Sequence, residues 1–293
     1  MLHALSRTAA LPSAGDTWGL SGPEFLLLYI PLGVVAVIVG SVLRWRVLKD
    51  QDETVPDRLS PTELAALSGN PRTVLTGLAY LRGHGLIDSA GTPIRPRSPA
   101  EQPPAFDRFA CMLHDSLSGP VARRRFGIRN ALAAQHNWLL DRGYLPDSGL
   151  RKKVRRTAVP VWLVVIVGVL RAFDGSRGGK PIGFLVFVLF VLVIVGLLLS
   201  KAPAVTARGR AALNGDRDRH GYLDPKNHPS FGSYGPASVA LAVALFGVTA
   251  VRSIDPALVA TTQMLGFSVS TSSGGSGGGD SGGGGGDGGG CGG

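Results

Sequence analysis

Cysteine is nearly missing from this sequence, with two in 293 residues, Cys111 and Cys291. Two thiols exclude a disulfide scaffold and a four-cysteine zinc site. Charge is also sparse, at 17% of residues, and acidic groups are the scarcer kind, 20 against 30 Lys and Arg. With a mean hydropathy of +0.20, so little charge argues against an ordinary water-soluble globule. Catalytic signatures are wanting too. The chain has no Gly-x-Ser-x-Gly, no His-Glu-x-x-His and no carboxylate pair on a recognisable helix. These absences point away from an enzyme, and no cofactor is implied.

The six histidines do not build a metal site. Cys111 and His114 could share a helix face, but two ligands are too few. They read as a half-buried thiol beside an exposed imidazole. His220 and His228 flank Asp224 in a loop whose polarity accounts for them. No metal is expected.

Long apolar runs are what the chain does have. Residues 25–43 carry no charge over nineteen positions, roughly 28 Å of helix, the thickness of a hydrocarbon core. Pro31 and Gly33 lie inside this run, and membrane helices tolerate both. A cleaved signal peptide fits less well. The preceding segment, residues 1–24, holds a single Arg, no small-residue cleavage site comes after the run, and Arg44, Trp45 and Arg46 stop it as an interface would. Further spans are expected at 158–173, with Pro160 in the first turn, and at 181–199. The joint between them, Arg171 to Lys180, contains Gly175, Gly178 and Gly179, which reads as a membrane hairpin. These spans carry no acid, His or Lys, so a proton or transport path has no visible residues. A fourth run, Ala237 to Val251 within 237–267, is cut off by Arg252 and Asp255. Its fifteen residues suit a buried helix somewhat better than a span.

Charge orients the spans. Residues 44–157 hold 19 basic and 11 acidic groups, and 200–236 hold 6 and 3. The run Arg151, Lys152, Lys153, Arg155, Arg156 directly precedes the second span. The positive-inside rule puts both segments in the cytoplasm of a multi-pass plasma-membrane protein and the N-terminus outside. Three spans leave the tail cytoplasmic, and a fourth would put it outside. Arg outnumbers Lys 24 to 6, the bias of a GC-rich bacterial genome.

The main cytoplasmic segment predicts a small, mainly α, winged-helix-like domain. Ser60 can cap a helix that Pro61 opens, and Glu63 completes a capping box. Val74, Leu75, Leu78 and Leu81 form the apolar stripe of a second helix. A phrase recurs 58 residues apart. Val74, Tyr80, Leu81, Gly85, Leu86 and Ile87 match Leu132, Trp138, Leu139, Gly143, Tyr144 and Leu145. Each reads as a helix, a glycine C-cap and a short strand, a degenerate duplication. The Pro-rich stretch Pro93 to Pro104 reads as a linker between the halves. Arg123, Arg124, Arg125 and Arg129 form a basic cluster. Together with Arg151 to Arg156 it suits anionic lipid headgroups. Nucleic acid is the less favoured partner, because no aromatic stacking platform accompanies the charge.

The tail, 268–293, lacks anything to pack. From Gly274 to Gly293, 15 of 20 residues are Gly, a composition that predicts disorder with a reach on the order of 25 Å. Cys291 would be an accessible thiol on that tether, and its reactivity depends on its compartment.

The stretch Leu59-Ser60-Pro61-Thr62-Glu63-Leu64-Ala65-Ala66-Leu67-Ser68-Gly69-Asn70-Pro71-Arg72 resembles the opening of an uncharacterised family of actinobacterial membrane proteins, with Asn70 in place of a Gly. Lys180-Pro181-Ile182-Gly183-Phe184-Leu185, Thr206-Ala207-Arg208-Gly209-Arg210 and the Gly-rich, Cys-containing tail extend the likeness over residues 24–293. The resemblance implies architecture and carries over no activity, cofactor or catalytic residue. The expectation is a membrane anchor or interaction protein with an unidentified protein partner. Its alternatives are a nucleic-acid-binding regulator using residues 50–156 and a carrier of a modified Cys291.

Overall fold

A computed structural model describes residues 22–49, 58–102, 106–177 and 183–269. The fold is mainly helical: α1 (Gly22–Lys49), α2 (Pro61–Ala66), α3 (Asn70–Gly83), α4 (Arg108–Ser118), α5 (Val121–Asp141), α6 (Ser148–Thr157), α7 (Val159–Arg177), α8 (Gly183–Ser200), α9 (Ala207–Arg219), α10 (Pro236–Phe246), α11 (Val248–Ile254) and α12 (Ala257–Met264). The chain divides into two units, one from Met1–Asp52 with Pro146–Ala202, the other from Glu53–Leu145 with Pro203–Gly293.

In the first unit, α1, α7 and α8 pack pairwise around Phe25, Tyr29, Val161, Val164, Leu192 and Leu199. Their outward faces are equally apolar: Leu27, Leu28, Leu163, Phe187 and Phe190 are all more than half exposed. A helix that is apolar all round needs an apolar surround. Phe25–Lys49 and Gly183–Ser200 are each long and apolar enough to cross a membrane. The bent pair of α6 and Val159–Phe173, 46° apart, makes a third candidate. Helix α1 runs unbroken through Pro31. Helix α7 continues through Arg171 and Gly175 to Arg177, so the first part of the joint expected from Arg171 to Lys180 is helical, and Gly178 and Gly179 lie outside the described residues. Arg171 is buried over the Phe25 ring, 4.9 Å away.

Two polar contacts fix this bundle. The Tyr29 hydroxyl donates to the Val164 carbonyl at 3.0 Å. Arg44, read from sequence as the end of a span, donates to the carbonyls of Leu199 and Lys201 and so caps the C-terminus of α8. Helix α6 packs on the same end, where Gly40 of α1 meets the Thr157 carbonyl.

The second unit is assembled from chain segments on both sides of the α6–α8 stretch. Its centre is α10, packed against α3 and α2. Val239, Ala240, Val243, Ala244 and Leu245 are all buried there. The fourth apolar run is thus two helices, α10 and α11, interrupted at Gly247, where φ is +67°. Neither is long enough to span. Helices α3 and α4 meet at Gly77, where a Cβ would lie 2.8 Å from Leu113.

The expected capping box is present: Ser60 N–H donates to Glu63 at 2.8 Å and Glu63 N–H to Ser60 Oγ at 3.3 Å. The repeated phrase folds into two copies of one C-terminal motif. Leu86 N–H reaches the Leu81 carbonyl and Gly85 N–H that of Arg82; Tyr144 and Gly143 do the same to Leu139 and Leu140. This is the Schellman pattern, and Gly85 (φ +66°) and Gly143 (φ +74°) supply its left-handed residue.

The expected short strands do not form. Among the described residues the only β pairing is a single bridge, Ile87 to Pro93. The motif already uses the Leu86 N–H, and Asp88 to Thr92 closes a tight turn, so no ladder extends into a wing. The Pro-rich stretch is also not a loose linker. Arg95 pairs with Glu101 within it at 2.7 Å, and Arg97 pairs with Asp115 of α4 at 2.7 Å, which straps the described part of it to that helix.

Candidate functional site

The basic residues expected to carry function fall into two sets on different units. Arg151, Lys152, Lys153, Arg155 and Arg156 are all exposed along α6, while Val154 and Thr157 are buried. Asp147 caps this helix through Leu150 N–H at 2.7 Å. The helix therefore carries its cations on one face and packs the other, the pattern of an interfacial helix. The end of the bundle to which α6 packs also bears Arg44, Arg46, Lys49 and Lys201.

The second set sits on α5, and it is not uniformly free. Arg124 donates to the Gly119 carbonyl at 3.3 Å, and Arg125 to that of Met264 at 3.2 Å, the last residue of α12. Arg123 and Arg129 are exposed beside Phe126, itself 69% exposed. Cys291 lies outside the described residues.

Cys111 and His114 differ from expectation, because both are buried. His114 Nε2 lies 3.2 Å from the Arg95 carbonyl, so the Pro-rich strap covers it. Burial pushes the Cys111 thiol above its ordinary pKa, which suits an inert core position. His220 terminates α9, and His228 sits in a left-handed turn. No group of three or more metal-ligating side chains occurs among the described residues.

Sequence reasoning missed a buried polar junction where α2, α4 and α5 meet. The Thr62 hydroxyl donates to the Asp107 carboxylate, 2.7 and 2.8 Å from its two oxygens, and accepts from Gln135 Nε2 at 3.3 Å. Asp107 also caps α4 through Ala110 N–H at 3.0 Å. All three side chains are more than nine-tenths buried. Over this junction lies a cleft of about 140 Å³, walled by Phe109, Met112, Ala134 and Trp138, with Ser60, Glu63 and Arg108 at its polar side. Gln135 lines it and leaves Oε1 without a partner. Burial raises the Glu63 pKa, and the Asp107 charge adds to the rise, against the lowering effect of the Ser60 N–H. One sequence signal marks the cleft: Gln135 interrupts the apolar stripe Ile128, Ala131, Leu132 and Leu139 of α5.

Comparison with known proteins finds no matching family model, no similar curated protein and no similar solved structure.

Proposed function

We propose that this chain is a non-enzymatic membrane anchor and interaction protein, as the family resemblance also suggests. Its first unit lies in the bilayer, and its second is a cytoplasmic module for a protein partner. One observation carries the reading. A bundle with apolar outward faces bears, at a single end, Arg44, Lys49, Lys201 and the five exposed cations of α6. Each cation near an anionic leaflet contributes about 1 kcal/mol, so that end belongs on the cytoplasmic side. The N-terminus is then outside. Burial of α10 in the second unit supports three spans and a cytoplasmic tail.

The test uses intact cells. In a Cys291→Ser background, Asn130→Cys places a thiol on the exposed face of α5. A membrane-impermeant maleimide should label it only after lysis; labelling of intact cells overturns the orientation. A photo-crosslinker at exposed Phe126 should then give an adduct of defined mass. Absence of any protein adduct counts against the interaction role.

Nucleic-acid binding through residues 50–156 has weaker support. Arg124 and Arg125 serve their own fold, and the cations of α6 belong to the other unit. The full chain in nanodiscs should give flat DNA titrations. Salt-sensitive binding lost on changing Arg123, Arg124 and Arg125 to Ala would reverse the preference.

A further inference from the structure

We infer that the corner where α3, α9 and α10 meet binds a doubly charged oxyanion, a phosphate group, between Arg72 and Arg217. Helices α3 and α10 run antiparallel. Gly83, at the end of α3, abuts Pro236, the first residue of α10, and Arg72, in the first turn of α3, abuts Gly247 just past the end of α10. The Arg72 guanidinium lies over the Gly247 backbone: a Cβ there would stand 2.8 Å from Arg72 Nη2 and 3.2 Å from its Nε. Gly247 also has φ +67°, so this seat requires glycine on two counts. From α9, Arg217 donates to the Leu245 carbonyl at 3.2 Å, in the last turn of α10. Both guanidinium groups therefore stand at one end of α10.

This corner carries more positive charge than the fold uses. Among the described residues, no carbonyl or carboxylate accepts a hydrogen bond from the Arg72 guanidinium. Burial lowers the Arg72 pKa, the Arg217 charge lowers it further, and no acid acts in the opposite direction. A helix C-terminus, with about half a negative charge, ordinarily accounts for a cation beside it. Here that half charge of α10 already faces the opposite half charge at the N-terminus of antiparallel α3, and Arg217 caps it. A surplus of about two positive charges is left. The acids beside Arg217 in the sequence do not take it up: Asp216 pairs with Arg219 at 3.4 Å, and Asp218 bonds to neither guanidinium.

The donors define the ligand. Arg72 offers its whole fork of N–H groups, and Arg217 all but the donor spent on Leu245. Arginine forks take oxyanions in bidentate fashion, where a lysine would act only as a point charge. A phosphate monoester carries about −1.5 to −2 charge at neutral pH and three acceptor oxygens, enough to meet both forks and to match the surplus. A carboxylate brings one charge, and a neutral ligand would leave the two cations repelling each other. Arg217 is exposed and Arg72 is half-buried, so the corner is open to solvent on one side and sheltered on the other.

Arginine-directed labelling tests the site residue by residue. The full chain, in nanodiscs of zwitterionic lipid and phosphate-free buffer at fixed ionic strength, is treated with phenylglyoxal, and mass spectrometry gives a rate for each arginine. Inorganic phosphate should slow modification of Arg72 and Arg217 along one saturating curve, about tenfold once it reaches about ten times its half-saturating concentration. Exposed Arg123 and Arg129 should keep their rates. Acetate, with one charge, should need about tenfold more. Arg72→Gln should raise the phosphate needed to protect Arg217 about tenfold or more, the loss of charge-assisted hydrogen bonds. Arg72→Lys, which keeps the charge and loses the fork, should fall between. Nanodiscs containing phosphatidic acid, without free phosphate, separate two sources of the same group: protection of both arginines there assigns it to a lipid headgroup, and its absence there to a soluble ligand. Protection by neither overturns the proposal. Equal slowing of all four arginines also overturns it, since that is ionic screening, as does acetate as potent as phosphate or protection of Arg217 that survives Arg72→Gln.

Discussion

Replacing Thr62 by Val should unfasten the second unit at its polar junction. The substitution is close to isosteric, so it tests chemistry rather than volume. The hydroxyl lies 2.7 and 2.8 Å from the two Asp107 oxygens. A hydrogen bond to a charged group contributes about 1.5–3 kcal/mol. The same hydroxyl is the acceptor for Gln135 Nε2, which would be left buried and unpaired at a further cost of about 1–3 kcal/mol. The added methyl returns about 0.8 kcal/mol. The net loss is about 3 kcal/mol, on the order of a hundredfold in the folding equilibrium. Trp138 borders the junction and reports on it once Trp18, Trp45 and Trp162 are changed to Phe. Denaturation of the detergent-solubilised protein should show a lower midpoint at unchanged slope. Thr62→Ser, which keeps the hydroxyl, should recover most of the loss. A Val variant within about 1 kcal/mol of wild type, or a Ser variant that is equally weak, would refute the junction's role.

Gly85→Ala and Gly143→Ala should each cost about 1 kcal/mol or more in the same assay, because both positions are left-handed (φ +66° and +74°). Neither Cβ would meet a neighbour, so any much larger effect would contradict a purely backbone origin. Glu101 is held down to about pKa 2 by its hydrogen bond to Arg95 and by the Ser98 N–H. A depressed carboxylate stabilises the closed strap above the free-acid value of 4.5 and loses that contribution as pH falls from there towards 2. Hydrogen exchange across residues 88–101, corrected for intrinsic rates, should rise over that window in wild type and be raised already at neutral pH in Glu101→Gln; a flat profile refutes the clamp. Tyr29→Phe should weaken the bundle by about 0.6 kcal/mol, the mean for interhelical hydrogen bonds in membranes, measured by steric trapping; no change would mean the Val164 contact is dispensable.

What could be read from the sequence was local chemistry. Runs of nineteen uncharged residues announce membrane helices without knowledge of any neighbour, and α1 and α8 match them closely. Ser60 with Glu63, and Gly85 with Gly143, specify a cap and two helix ends through hydrogen bonds that close within six residues. Even so, the local signal misjudged Leu86 and Ile87, because a strand needs a partner and the Schellman pattern had already taken the Leu86 amide. What sequence could not convey was association across distance. The pairing of α3 with α10 joins segments more than 150 residues apart, and nothing in Ala237–Val251 says whether its apolar surface will face lipid or Leu75 and Leu78. The candidate cleft has the same origin. Thr62, Asp107 and Gln135 each read alone as an ordinary helix residue, and only folding brings positions 45 and 73 residues apart onto one hydroxyl. Gln135 was the exception in principle, a polar group on an apolar stripe. Such a residue must either find partners or await one, and here it does both: Nε2 is satisfied by Thr62 while Oε1 is not. Only the fold supplies the partner it has, because Thr62 lies 73 residues away in the sequence.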